Sequence, residues 1–256
     1  MKYKAVIADV DGTLIPPNAA PTTKASDRVV QAVLAAQEKG ILFSLASARS
    51  LDWVQGLVGS LNIKAPLILD NGARIYDTMT QKYIFESFIE EESILNVLKV
   101  LSQFPYDIYI VDGKKRFTYN PGDNLNANKA VKIMILHINP QEAETIYQEV
   151  KKIQNVQVTK SVSGENPVRE SIHVTSIEAK KDFGLYRVAK FLGLSTKEFI
   201  GIGDSYNDLT FLLACGLKVA MGNAVPEVKA IADYVAPSYE EDGVADAIER
   251  YILKEN

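Results

Sequence analysis

The chain has one cysteine, Cys215, among 256 residues. No internal disulfide can form, and such sparing use of cysteine fits a reducing cytoplasm. Long apolar runs are missing too. The longest uncharged stretches, such as residues 40–48, fall far short of the roughly 20 residues of a membrane span. Near the start, Asp9 and Asp11 interrupt the unbroken apolar core that a signal peptide needs, which argues against secretion by that route. Nor is there an excess of positive charge. Lys and Arg number 28 against 32 Asp and Glu, a net charge of −4. Nonspecific binding to nucleic acid rewards basic patches, so this balance argues against it. Repeats and low-complexity tracts are absent. With 47% hydrophobic and 23% charged residues, the composition excludes a disordered chain.

What is present is an alternation of apolar runs and helical patterns. Residues 3–10, 41–46 and 66–69 read as buried strands, with helical spacing over 27–39 and 51–61 between them. This succession predicts a parallel sheet wrapped by helices. The pattern then changes. Residues 75–77 and 83–86 read as a hairpin and 90–104 as a helix. Segments 107–111 and 116–119 flank Asp112-Gly113, a tight-turn pair. Residues 120–129 read as a loop, 130–138 as a strand, 141–152 as a helix, and 156–160 and 171–175 as strands. The parallel style returns with a helix at 180–192, a strand at 199–203, a helix at 207–214 and further short elements to the end. The middle stretch therefore reads as an α+β unit inserted into an α/β core, with the core at about 1–81 and 179–256 and the insert at about 82–178.

Four constellations could carry chemistry. Asp9-Val10-Asp11-Gly12-Thr13 follows a buried strand directly, where ligands gather in parallel sheets. Two carboxylates so close repel each other unless a cation sits between them; the plainer alternative is a strand-to-loop turn. Gly203-Asp204-Ser205-Tyr206-Asn207-Asp208 follows another buried strand, and Asp204 or Ser205 could equally cap a helix there. Taken together, Asp9, Asp11, Asp204 and Asp208 make an all-oxygen site suited to Mg²⁺. Ser47-Ala48-Arg49-Ser50 ends the second strand. Its hydroxyls and free N–H groups could hold a phosphate oxygen, or cap the following helix. Lys180-Lys181 opens a helix, where the macrodipole disfavours a cation unless an anion faces it; a solvated lysine pair is the alternative.

In chain order, Asp9–Thr13, then Ser47, then Lys180-Lys181, then Gly203–Asp208, the four segments resemble the haloacid dehalogenase superfamily of phosphatases. Asp70-Asn71-Gly72-Ala73 after the third strand is similar to the N-G-A turn of its Cof-type branch, subclass IIB. Three later segments match as well: Val219–Ala224, Ala232–Val235 and Glu241–Ala245. The resemblance implies a Rossmann-like parallel-sheet core carrying a C2B-type α+β cap. It implies Asp9 as a nucleophile that forms an aspartyl-phosphate, and Asp11 as general acid and base. Thr13, Ser47, Ala48, Arg49, Lys181 and Asn207 would bind the phosphate or substrate. Asp9, Asp11 (through its carbonyl), Asp204 and Asp208 would serve the Mg²⁺. Lys180 is the other candidate for the lysine; counting back from Leu192-Gly193-Leu194 favours Lys181. Ala48 and Asp182 stand where the family often has glycine.

Other residues read more plainly. His137 and His173 lie in strand-like runs, with His173 able to approach the site from the cap. Arg169 and Glu170 lie where the chain re-enters the core and could touch a leaving group. Cys215 and Trp53 read as packing residues. The function expected is a Mg²⁺-dependent phosphatase of small phosphorylated metabolites, sugar phosphates or phosphoglycolate, working as a monomer or homodimer in the cytoplasm. The alternatives are a phosphomutase of the same subclass and a non-catalytic phosphosugar-binding regulator.

Overall fold

The computed structural model describes residues 2–17, 19–112, 115–123, 129–162 and 168–254. Two compact units emerge, Met1–Phe85 with Lys180–Asn256, and Glu86–Ala179. The first break comes later than residue 81 for a structural reason. Lys82–Glu86 is the outer strand of a small sheet ordered Leu67–Leu69, Arg74–Asp77, Lys82–Glu86, and this ladder keeps it with the first unit through Phe85.

The first unit holds a five-stranded sheet in the order Tyr234–Val235, Leu217–Ala220, Phe199–Gly203, Ala5–Ala8, Leu42–Leu45. Every neighbouring pair in it is parallel. Ala5–Ala8 and Phe199–Gly203 are buried along their whole length. Strands covered on both faces show no polar alternation, which is why they read as plain apolar runs. Helix Asp27–Glu38 starts at Ser26, whose side chain accepts from the Val29 N–H, and it buries Val29, Ala32, Val33 and Ala36. Ile7, Phe43, Leu45, Ile68, Phe199 and Phe211 are fully buried in this core. Each such side chain stabilises the fold by about 1.5–3 kcal/mol. A charged group in the same surroundings must therefore be well partnered.

Register then fixes what leaves the sheet. Ala8 pairs with Ile202 and, on its other side, with Leu45. The residues after these three strand ends emerge together: Asp9, Asp204 and Ser47. The Asp9 N–H donates to the Ile202 carbonyl at 2.9 Å, and the Ala46 N–H to the Ala8 carbonyl at 2.9 Å. The helix expected over 207–214 is broken in two. Tyr206–Asp208 is a 3-10 turn and Leu209–Ala214 the α-helix. The Asp208 carboxylate accepts from the Asp204 and Ser205 N–H groups, both at 3.0 Å, and tightens this first turn.

The second unit is α+β. Its antiparallel sheet runs Arg116–Tyr119, Ile108–Val111, Lys132–Ile138, Glu170–Ser176, Val156–Val162. Helices Glu91–Leu101 and Pro140–Val150 close a separate core around Ile94, Val97, Ile133, Ile146, Ile172 and Val174. Of the expected Asp112-Gly113 turn, Gly113 lies outside the described residues, as do 124–128 of the expected loop. No described helix is long and apolar enough to cross a membrane.

Candidate active site

Three carboxylates converge where the parallel strands end. Oxygens of Asp9, Asp204 and Asp208 all lie within 4.8 Å of one another. Lys181, the first residue of helix Lys181–Leu192, sits among them. Its Nζ donates to Asp9 Oδ1 at 2.7 Å and to Asp208 Oδ1 at 2.6 Å. The three side chains are almost sealed from solvent, Lys181 at 1%, Asp9 at 7% and Asp208 at 0% exposure. Lys180 does not share this site: its ammonium lies over the Phe183 ring, 5.5 Å from the centroid. The geometry thus separates the two lysines that the sequence left open.

The electrostatics follow from that burial. Desolvation pushes the Asp9 carboxyl well above its ordinary value, and the charges of Asp208 and Asp204 add to the shift against the pull of Lys181. Burial works against the Lys181 ammonium too, but Asp208 and Asp9 outweigh it and hold the group above its ordinary value. Asp204 is raised from 3.8 to about 6, first by burial and then by Asp208. Three carboxylates face one ammonium, leaving an excess of negative charge. An all-oxygen set with such an excess fits a hard divalent cation.

Gly12 and Thr13 set Asp204. Gly12 has φ +75°, and a Cβ there would lie 2.5 Å from Asp204 Oδ2. Only glycine meets both conditions without strain. The Thr13 hydroxyl donates to Asp204 Oδ1 at 2.9 Å. Asn223 braces the same loop, its Nδ2 donating to the Gly12 carbonyl at 2.8 Å while its Oδ1 accepts from the Tyr239 N–H.

Asp11 stands apart from the three clustered side chains. Its carboxylate accepts two hydrogen bonds from Arg49, 2.8 Å from Nε and 2.6 Å from Nη2. Arg49 Nη2 also reaches the Ala19 carbonyl at 2.7 Å. Ser47 is fully buried and its Oγ accepts from the Arg49 N–H at 3.0 Å, which leaves the hydroxyl proton to donate elsewhere. Helix Leu51–Ser60 begins after Ser50, and no side chain caps it. Ala48 is half-buried between Ser47 and Arg49. Asn207 is half-buried and donates from Nδ2 to Asn71 Oδ1 at 3.1 Å.

The Asp70–Gly72 turn was legible as a turn but not as a junction. Its three residues all have positive φ, 50°, 57° and 97°. The Asp70 N–H donates to the Arg49 carbonyl and the Asn71 N–H to the Ser47 carbonyl, both at 3.0 Å. A Cβ on Gly72 would lie 2.2 Å from the Lys180 carbonyl oxygen, so the turn packs directly on the backbone that leads into Lys181. Beneath it, Arg74 and Asp70 form a buried ion pair, Nε to Oδ2 at 3.5 Å. The D-N-G tripeptide signals a left-handed turn from sequence alone; its partners come from distant segments.

The two histidines belong to the second unit, and the cysteine to the core of the first. His173 is a member of the second unit's sheet, where its Nε2 is 3.1 Å from the Ser161 hydroxyl, and burial followed by the Lys132 charge holds its pKa well below the ordinary value. His137 lies on strand Lys132–Ile138 with φ 59°. Cys215 is buried, its thiol pushed by burial up to about 12. It is an inert packing group.

Comparison with known proteins agrees with this layout. The family of haloacid dehalogenase-like hydrolases matches over residues 6–248. A 5-amino-6-(5-phospho-D-ribitylamino)uracil phosphatase of Bacillus subtilis is 26% identical over 250 residues, covering 98% of this chain and 96% of its own. The crystal structure of a haloacid dehalogenase-like hydrolase from Bacteroides thetaiotaomicron superposes with a TM-score of 0.81 at 26% identity, covering 97% of this chain and 99% of that one. A sugar phosphatase of subclass IIB shares the fold, with a TM-score of 0.76 at 22% identity, covering 97% and 98%. With its parallel sheet, its acidic strand ends and a match across nearly its whole length, the chain belongs to the haloacid dehalogenase-like hydrolases and is a phosphatase among them.

Proposed function

We propose that this phosphatase uses Mg²⁺ and hydrolyses small phosphorylated metabolites, of the sugar-phosphate or phosphoglycolate type, through a phosphoryl group carried on Asp9. The carrying observation is the buried Asp9, Asp204 and Asp208 cluster with Lys181 bonded across it. Asp9, Asp204 and the Asp11 carbonyl would hold the Mg²⁺, with Asp208 in support. The cation would supply charge that offsets the repulsion between a carboxylate and a phosphate dianion.

The chain's own residues divide the remaining work. Lys181 occupies Asp9 Oδ1, which leaves Oδ2 to attack phosphorus. As that P–O bond forms, the bond to the leaving alcohol breaks, and Asp11 gives the departing oxygen a proton. Water then attacks the same phosphorus, Asp11 takes its proton, and the Asp9–phosphorus bond breaks to release inorganic phosphate. Ser47, Arg49, Asn207 and Lys181 donate to the phosphoryl oxygens, and Ala48 and Thr13 line the same loops. For Arg49 to turn its Nε and Nη2 donors to the phosphoryl group it lets go of Asp11, whose carboxylate they hold with two hydrogen bonds. Substrate phosphate and Asp11 thus compete for one guanidinium, and the Asp11 carboxylate, once released, takes up a proton from solvent that it then gives to the leaving oxygen. The Glu86–Ala179 unit is assigned as the cap domain that carries substrate selectivity, and the enzyme works in the cytoplasm as a monomer or homodimer.

The test is Asp9→Asn assayed on p-nitrophenyl phosphate with Mg²⁺. Loss of the nucleophile lowers kcat by roughly 10³-fold or more. Turnover equal to the parent's would refute the assignment. A panel of phosphorylated metabolites ranked by kcat/KM then names the substrate.

A further inference from the structure

We propose that Asn71 is a positioning residue for phosphoryl transfer, acting through Asn207. This rests on the reading that Asn207 donates to the phosphoryl group. Asn71 is buried, 5% exposed, and lies in the left-handed region at φ 57° and ψ 25°. If the turn needed only that backbone shape, glycine would supply it with less strain. The amide that is there instead makes a specific contact: its Oδ1 accepts one hydrogen of Asn207 Nδ2 at 3.1 Å.

That contact has a directional consequence. Asn207 has two Nδ2 hydrogens and an Oδ1 acceptor. Using one hydrogen on Asn71 fixes the amide plane and leaves the second hydrogen with a set direction. Without it, the Asn207 side chain on its half-exposed 3-10 turn is free to rotate. The main chain of Asn71 is anchored as well, through its N–H on the Ser47 carbonyl. One residue therefore ties the Ser47 loop to the Asn207 turn, and so fixes the spacing between two of the proposed phosphoryl donors. The neighbouring bonds keep Asn71 itself from moving: Asp70 N–H to the Arg49 carbonyl, and the buried pair of Asp70 with Arg74.

The experiment is a double-mutant cycle with Asn71→Gly, Asn207→Ala and the pair combined, each measured for kcat/KM on p-nitrophenyl phosphate, for inhibition by inorganic phosphate, and for Tm. Glycine keeps the left-handed turn, so folding is preserved while the amide is lost. The loss of one oriented hydrogen bond lowers kcat/KM about five- to tenfold and weakens phosphate inhibition by a similar factor. In the Asn207→Ala background the same change has less than about a twofold effect, because the residue it orients has gone. Three results would overturn the proposal: parental kcat/KM in Asn71→Gly, effects that multiply in the double variant, or a Tm loss that tracks the activity loss. Asp9→Asn is run alongside. Its retention of activity would sink the nucleophile reading, while the cycle would still decide the role of Asn71.

Discussion

Replacing Lys181 with methionine keeps an unbranched side chain as far as Cε and removes the charged nitrogen. In the parent, one ammonium at 1% exposure lies 2.7 Å from Asp9 and 2.6 Å from Asp208. Without it, two buried carboxylates face each other and Asp204 with no cation from the chain between them. Removing one member of a buried ionic cluster typically costs about 3–5 kcal/mol, because the charge left behind stays desolvated. For folding units of about 150–250 residues, 1 kcal/mol corresponds to roughly 2–4 °C, so the metal-free variant should melt about 6–20 °C below the parent. The sign of the pH dependence follows. Burial already raises Asp9, and losing Lys181 removes the main influence that lowers it. The folded variant then binds more protons than its unfolded chain, so its stability falls as pH rises. The deficit in Tm should be small at pH 5 and widest at pH 8. Circular dichroism melts of both proteins in EDTA at the two pH values measure it. A deficit under about 2 °C at pH 8, or one that shrinks from pH 5 to pH 8, would show that the Asp9–Lys181–Asp208 cluster is not the buried ionic unit described here.

Gly12→Ala puts a methyl group 2.5 Å from Asp204 Oδ2 in a left-handed backbone. Metal ligands tolerate displacements of only about 0.2 Å, so Mg²⁺ affinity by calorimetry should fall at least about tenfold; unchanged affinity would refute the role of Asp204. Chelation with EDTA should abolish turnover and added Mg²⁺ restore it, and full activity in EDTA would exclude the metal. In the metal-free protein Asp204 is raised from 3.8 to about 6. That group therefore costs the fold stability as pH rises from about 4 through about 6, and a bound cation offsets the cost. The Tm gain from Mg²⁺ should accordingly be larger at pH 7.5 than at pH 5, and an equal gain at both would contradict the shift. Arg49→Ala should raise KM for p-nitrophenyl phosphate about tenfold, since a bidentate phosphate donor is lost, and a parental KM would show that Arg49 serves Asp11 alone.

The core of this protein was legible because burial on both faces of a parallel sheet writes itself as short apolar runs, and such strands end in the loops that hold ligands. Asp9 and Asp204 could be placed from that rule before any coordinates, and the register of Ala8 with Ile202 then brings them side by side. The middle stretch was legible as a change of pattern, though residues 82–85 fall in the first unit because hydrogen bonding to a neighbouring strand leaves no trace in local composition. What sequence could not give is partnership at a distance. The Thr13 hydroxyl donates to Asp204, 191 positions away, a partner that no local pattern names. Asp11 was expected to serve the metal through its carbonyl, and nothing local announced that Arg49, 38 positions away, would hold its carboxylate. The D-N-G turn advertised its backbone shape, since asparagine and glycine tolerate positive φ. Nothing local could say that its main chain would join Ser47 and Arg49, or that its amide would reach Asn207 across 136 positions. Motifs carry the residues that touch a substrate because the chemistry restricts their types. The residues that aim them are restricted only by where the fold happens to bring an acceptor, and that becomes visible when the strands are laid in register.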